Sequence, residues 1–184
     1  MQSLIDVEIR GVKSLMMHSP AAMLKPKSKK VKSSEHDPEQ EAKEGLYLNE
    51  KGEIGVPSFA VLSAMRKAAT QLKKAGSGKK TLKDFVFSGL EITPEFIVLP
   101  NQKYEIDIRP VVIQRARIMR ARPIFKDWGL KFQILIRDEQ TWDAGTVRQV
   151  LEEAGKYQGL LEFRPLYGQF EIVSMKTESG KEVK

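Results

Sequence analysis

The sequence predicts a single α+β domain over residues 1–176, followed by a disordered tail at residues 177–184. Segments in which apolar and polar residues alternate, as in half-buried strands, flank two segments in which apolar residues recur at helical spacing. Of the 184 residues, 41% are hydrophobic and 30% are charged, which is typical of a globular protein with a full hydrophobic core. Length and composition therefore favour one domain over two.

The first strand is predicted at residues 4–12, where charged residues alternate with apolar ones. Its buried face is formed by Ile5, Val7 and Ile9. Residues 18–45 lose this pattern, because a run of lysines is followed there by a cluster of acidic residues. Such a segment does not bury enough apolar area to offset the entropy of ordering it, so we expect a flexible basic and acidic insertion loop.

The first helix is predicted to begin at Ser58, which follows Pro57 and is expected to act as its N-cap. Gly76 is expected to end this helix after about 16 residues. The apolar face of the helix is formed by Leu62, Met65, Ala69 and Leu72. Residues 46–57 are typical of a small hairpin, and residues 81–100 are expected to form a short helical turn and short strands.

Central strands are predicted at residues 104–113 and 128–138. A second helix is expected after Asp143, whose carboxylate is suited to capping the first turn. Its apolar stripe is formed by Val147, Val150, Leu151 and Ala154. On the solvent-exposed side, ion pairs at i,i+4 spacing are expected among Arg148, Glu152 and Lys156. A final strand is predicted at residues 167–175.

This order of elements defines the expected topology. It reads β, α, β, β, α, β with extra β-hairpins, which is the split-βαβ layout of ferredoxin-like domains and of RNA-recognition folds. The sequence thus predicts a ferredoxin-like (RRM-like) βαββαβ core that carries an inserted basic loop.

Residue types needed for catalysis or metal binding are scarce. The chain has no cysteine, which excludes disulfides, thiolate zinc sites and cysteine nucleophiles. His18 and His36 lack further ligands at suitable spacing, so we expect no metal and no cofactor. Carboxylates such as Asp107 are not paired with a nucleophile or a metal cluster, so we expect a non-enzymatic binding protein. Metal-dependent RNA cleavage is kept only as a remote alternative.

The chain is expected to be cytoplasmic, without a membrane partner. No apolar run approaches the length that a transmembrane helix needs, and the N-terminus lacks the basic and apolar regions of a signal peptide. The formal net charge of +7 favours an anionic partner, of which nucleic acid is the commonest.

An arginine-rich stretch, residues 109–125, is the strongest functional signal. It has the β-branched composition of a strand and no acidic residue. We expect a hairpin tip or a bulged edge strand that brings its later arginines to one solvent-facing patch. Guanidinium groups bind phosphate bidentately and stay charged at neutral pH, so the patch is suited to a polyanion. The arginines are Arg115, Arg117, Arg120 and Arg122.

Two alternatives stay open for these cations. Charged side chains also protect exposed edge strands from aggregation, which is a purely structural role. Further phosphate contacts are predicted for Lys126 and for a lysine run, which is otherwise a solvated loop without a partner. The run comprises Lys25, Lys27, Lys29, Lys30 and Lys32. Phe125 and Trp128 flank the arginines and either stack on bases or, as we favour, belong to the core.

Two stretches carry a resemblance to a known family. "VPSFAVLSAMRKAA", at residues 56–69, resembles the segment that opens the first helix of RAMP-superfamily proteins, the RRM-like subunits that line guide RNA in CRISPR surveillance complexes. "LEEAGKYQGLLEFRPLYGQFEI", at residues 151–172, resembles their glycine-rich C-terminal loop and last strand, and it retains Gly155, Gly159 and Gly168. The arrangement, with "RPVVI" at residues 109–113, is also similar to small proteins of phages and prophages.

The resemblance implies binding to single-stranded RNA or DNA. It implies that the lysine-rich insertion is a protruding, thumb-like loop and that Arg66 approaches the bound backbone, the alternative being an ordinary helix-surface arginine. We therefore predict non-enzymatic, weakly sequence-specific binding of single strands, by a self-associating protein that coats the strand. The alternative is an assembly subunit that binds acidic protein partners or stacks into a filament.

Overall fold

The computed structural model describes residues 3–20, 37–74, 76, 78–113 and 115–183. It has an α+β fold with a ferredoxin-like core, as predicted. Its strands are β1 (Ser3–Gly11), β2 (Leu15–Met16), β3 (Gly55–Pro57), β4 (Leu90–Thr93), β5 (Phe96–Val98), β6 (Glu105–Ile113), β7 (Ala116–Phe125), β8 (Gly129–Ile136) and β9 (Phe170–Thr177). Its α-helices are α1 (Pro38–Glu44), α2 (Ser58–Ala68), α3 (Val86–Gly89) and α4 (Ala144–Glu153).

The main sheet has four antiparallel strands in the order β4-β8-β1-β9. The core elements follow the chain as β1, α2, β4, β8, α4 and β9, which is the βαββαβ order. Val7 pairs with Phe132 of β8, and both side chains lie on the buried face. The alternation in β1 and β8 thus places the apolar residues under α2 and α4, as the sequence predicted.

Two smaller sheets extend this core. β2, β7 and β6 form a three-stranded sheet, and β3 pairs with β5. The predicted small hairpin appears as a turn at residues 49–52 closed by a bridge between Leu48 and Ile54. β6 and β7 form a long hairpin in which Ile113 faces Ala116, so Arg115 lies at its tip.

The first predicted helix is shorter than expected. α2 ends at Ala68, and a 3-10 turn covers Ala69–Gln71. Leu72 is already extended, and its carbonyl accepts the Leu82 N–H at 2.8 Å, so pairing with the returning chain replaces the last helical turns. Ser58 is not the N-cap, because Pro57 occupies that position and the Ser58 N–H donates to the Glu95 carbonyl.

The second predicted helix is confirmed in its cap and its stripe. Asp143 accepts the Thr146 N–H at 2.8 Å, and all four apolar stripe residues are buried. Arg148 pairs with Glu152 at 2.8 Å. Lys156 does not join this ion pair, because the chain widens into a π-turn at residues 154–158 and the ammonium lies over its neighbour Tyr157.

Two predictions of disorder are wrong where the structure describes the chain. Within the insertion, residues 38–44 form α1, which Asp37 caps and which packs against β7. In the tail, residues 177–183 fold back on β9: Val183 donates to the Met175 carbonyl at 2.8 Å and is buried. Long-range packing orders both segments despite their polar sequence. The rest of the insertion, residues 21–36, lies outside the described residues.

The core is continuous beneath the main sheet. Phe125 and Trp128 belong to it, which confirms the interpretation that we favoured for these aromatics. Trp128 satisfies its buried indole N–H by donating to the Lys13 carbonyl at 2.8 Å. Among the described residues, no helix has the length and apolar character that crossing a membrane requires.

Candidate nucleic-acid interface

The β6–β7 hairpin separates the four predicted arginines. Strand alternation places Arg117 on one face of β7, and Arg120 and Arg122 on the other. Arg115 lies at the tip in a left-handed conformation, with φ of 71°. The expectation that all four converge on one solvent-facing patch is therefore wrong, because no bulge reunites the two faces.

Arg120 already has an internal carboxylate partner. Its Nη1 donates to Glu41 of α1 at 2.8 Å, and the second carboxylate oxygen of Glu41 accepts the Ala121 N–H. This places α1 against the edge of β7. The basic side chain is thus engaged in holding α1, the helix within the insertion.

Arg122 is buried, with 9% of its surface exposed. Its guanidinium carbon lies 5.0 Å from the centre of the Phe163 ring, and Nη2 lies 3.8 Å from Glu162. Nε and Nη1 have no hydrogen-bond partner within the described part of the chain. Arg122 is therefore a packing residue and does not present its charge to solvent.

Arg109 lies opposite Arg120 and is held by an internal network that was not predicted from the sequence. It pairs with Asp107, donates to the Tyr167 hydroxyl at 2.7 Å and lies over the Phe163 ring. Hydrogen bonds to Asp107 and then to Tyr167 raise the pKa of Arg109. The acidic partners lie just outside the acid-free window or far away in sequence, so composition alone did not reveal them.

Arg115 and Arg117 differ from the other two arginines. Both are exposed, and neither forms an ion pair with any residue that the structure describes. Lys126 is exposed but pairs with Glu105 at 2.7 Å. The five lysines of the predicted run, and His36, lie outside the described residues. The tip thus retains two available guanidinium groups.

Arg66 lies on the outward side of α2, away from the buried residues of that helix. Its guanidinium carbon is 5.2 Å from the centre of the Phe87 ring, and it forms no ion pair among the described residues. Phe59, two turns earlier on the helix, packs on the same ring with centroids 5.5 Å apart. Neither aromatic was predicted from the sequence. The i, i+4, i+7 spacing of Phe59, Ser63 and Arg66 was available as a signal.

A cleft of about 250 Å³ lies between α2 and the C-terminal loop, residues 159–169. Phe59 and Ser63 line it from the helix, and Arg164 lines it from the loop. Tyr47 lines it too; burial, with the Glu162 carboxylate adding a smaller effect, raises the pKa of this phenol. The Tyr47 hydroxyl therefore stays protonated at neutral pH and is available as a hydrogen-bond donor.

The glycines of the C-terminal loop serve contacts within the protein. A Cβ on Gly168 would lie 2.1 Å from the Leu160 carbonyl oxygen, and one on Gly159 would lie 2.5 Å from that of Tyr167. Both residues have positive φ, which favours glycine. The close backbone approach thus folds the loop on itself and places Phe163 and Tyr167 against the hairpin.

The outward face of the main sheet has a different character. RRM domains stack bases on aromatic residues of this face. Here the outward positions within the described strands hold no aromatic side chain, and charges on neighbouring strands pair with one another. The pairs are Arg10–Glu171, Lys131–Glu8 and Arg137–Glu91. This face is therefore not the candidate interface.

No group of three or more His, Asp or Glu side chains that is arranged to hold a metal ion occurs within the described residues. Our expectation of a non-enzymatic, cofactor-free protein stays a prediction.

Comparison with known proteins gives a structural match. The sequence matches no family model and no curated protein. Among the solved structures that the chain resembles is one titled "Cryo-EM structure of the Type III-B Cmr-beta bound to cognate target RNA", with a TM-score of 0.60 and 11% identity. The likeness covers 96% of this chain and 60% of that one. The chain has a RAMP-like fold. The phage type that we also expected stays a prediction.

Proposed function

We propose that the protein binds single-stranded nucleic acid, RNA or DNA, through its phosphates and with little sequence specificity. The observation that carries the proposal is the exposure of Arg115 and Arg117 at the hairpin tip, without a carboxylate partner among the described residues. Like charges so close together are tolerated best where an anion lies between them. The RAMP-like fold supports the same function, since the solved structure that shares it is described as bound to target RNA.

Further cations extend the proposed interface. Arg66 and Arg164 lie on α2 and the C-terminal loop, on the two sides of the cleft region, and neither forms an ion pair among the described residues. Lys126 and the lysines at positions 25–32 stay in the proposal as additional phosphate contacts. Arg120 and Arg122 are not part of the proposed interface, because both form contacts within the protein.

A salt titration with matched variants tests the proposal. Fluorescence anisotropy with single-stranded RNA, single-stranded DNA and duplex is measured for the protein and for Arg115→Gln/Arg117→Gln. Each phosphate contact on a single strand makes the slope of log K against log salt steeper by about 0.7. The slope of the variant, which lacks two contacts, should therefore be shallower by about 1.4. Near 0.1 M salt this corresponds to roughly a 25-fold loss of affinity.

The control removes the same charge from elsewhere. Arg10→Gln/Arg137→Gln deletes two exposed arginines that pair with carboxylates on the main sheet. This variant should keep the slope of the unaltered protein. Binding that does not respond to salt, or equal losses in both double variants, would refute the proposed phosphate interface.

A second candidate function is self-assembly. The hairpin face that carries Arg117 also exposes a row of apolar side chains, which favours contact with a second copy of the chain. The row comprises Ile106, Ile108, Val112 and Met119. Sedimentation velocity after nuclease treatment tests it: Val112→Lys should shift oligomers to monomer, whereas Val173→Lys, an equally apolar exposed site on β9, should not.

A further inference from the structure

Two phenylalanine rings lie together on the surface beside the cleft. Phe59 is 63% exposed and Phe87 is 46% exposed, whereas the core residue Phe125 is 1% exposed. The ring centroids are 5.5 Å apart and the ring planes are inclined at 34°, so the two exposed rings lie against each other. Two adjacent exposed rings are costly in water and mark a place where something flat and apolar binds.

The fold does not need these rings for its core. α2 buries the opposite side, with Val61, Ala64 and Met65, while Phe59, Ser63 and Arg66 form a stripe that follows the outward side. Phe87 comes from α3, where its neighbour Val86 fills the core position. Neither ring is among the buried residues that form the main hydrophobic cluster.

The charge around the rings indicates the chemistry of the ligand. Arg66 lies over Phe87 at 5.2 Å, and among the described residues no carboxylate neutralises it. Phe59 also lines the cleft that Arg164 borders, so a second cation lies in the same region. A ligand that fits has a flat aromatic group joined to an anion, which describes a nucleotide of a single strand.

We propose that Phe59 and Phe87 form a stacking platform for an unpaired nucleobase, with Arg66 contacting the phosphate beside it. This inference rests on the proposed function and adds to it a site that recognises the base itself. Stacking of this kind is tolerant of sequence, because every base presents a π-face. It therefore agrees with the weak specificity expected of the whole interface.

Paired oligonucleotides test the platform. The affinities of a uridine single strand and of an abasic strand of the same length are measured for the protein and for Phe59→Leu/Phe87→Leu, in which leucine keeps an apolar side chain. The variant should bind the uridine strand roughly 5-fold to 150-fold more weakly and should bind the abasic strand unchanged. Photo-crosslinking of a 5-iodouridine strand should label a peptide that contains Phe59 or Phe87.

The controls separate the possible results. Tyr157→Leu removes another exposed aromatic ring with a cation above it but without a second ring, and it should change neither affinity. If the uridine strand binds with the expected salt dependence and the phenylalanine variant binds it equally well, the platform is refuted and the proposed function stands. Equal losses on both strands also refute stacking. If neither strand binds the unaltered protein, both proposals fail, and the rings are left as an anchor for a protein partner.

Discussion

Glu41 accepts a hydrogen bond from Arg120 Nη1 at 2.8 Å, and this contact joins α1, the helix within the insertion, to the β6–β7 hairpin. The same carboxylate accepts the Ala121 N–H at the edge of β7, where pairing with β2 has ended. A residue from the poorly patterned segment thus covers part of an open strand edge and neutralises one cation of the arginine-rich stretch.

Replacing Glu41 with glutamine should therefore have two opposite effects. The free energy of unfolding should fall by about 1 kcal/mol, since a charge-assisted, partly exposed contact is lost. Affinity for single strands should rise, because Arg120 gains a free positive charge. Urea denaturation and anisotropy measure the two effects. Glu39→Gln, on the same helix but exposed, should change stability little; equal stability losses in both variants would contradict the role given to Glu41.

Arg122 should behave as a packing residue. Arg122→Met keeps the packing on Phe163 and removes two buried donors that lack partners among the described residues, so the free energy of unfolding should stay the same or rise by about 1 kcal/mol. Arg122→Ala should lower it by about 2 kcal/mol through lost packing. Salt titrations of the methionine variant should match those of the unaltered protein. A reduced slope would mean that Arg122 does reach a phosphate.

Gly168 should tolerate no side chain. A Cβ there meets the Leu160 backbone, and φ is 73°, so Gly168→Ala should lower the free energy of unfolding by about 2–4 kcal/mol. Gly180 is the matched control, because its φ is 77° but nothing lies within 4 Å of its Cβ position. Gly180→Ala should cost only about 1 kcal/mol. An equal fall in the melting temperature of the two variants would show that the contact between residue 168 and Leu160 is unimportant.

Tyr47 should contribute to loss of stability at alkaline pH. Burial raises its pKa above the ordinary value of 10.0, so the folded state holds this proton more tightly than the unfolded state. The resulting stability is fully present below about pH 10 and is lost as the pH rises through the folded pKa. Urea unfolding at about pH 9 and pH 11 should show a smaller fall for Tyr47→Phe than for the unaltered protein.

Much of the fold could be predicted because its signals are local. β1 and β8 alternate strictly, and α4 has an apolar stripe, so their apolar faces are buried together when the strands and the helix pack. Asp143 caps α4 by accepting a hydrogen bond from a residue only three positions away. The length of α2 could not be predicted, because a bridge to the chain near residue 81 replaces its last turns.

The candidate site was less accessible to prediction. Alternation already implied that Arg117 and Arg120 would face apart, and only a bulge, which β7 lacks, would have reunited them. The acidic partner of Arg120 lies 79 residues away, in a segment without an amphipathic pattern. Phe59 and Phe87 come from separate helices, so no pattern within a short segment predicts that their rings are in contact.

Alternation, helical spacing and composition are properties of short segments, so the α+β class, the core strands, the second helix and the excess of positive charge could be predicted from the amino-acid order. Which cations remain free and which aromatic rings stay exposed to water depends on how the chain packs. Pairing and burial depend on residues far apart in the chain, whose distances are fixed when the sheets and helices pack.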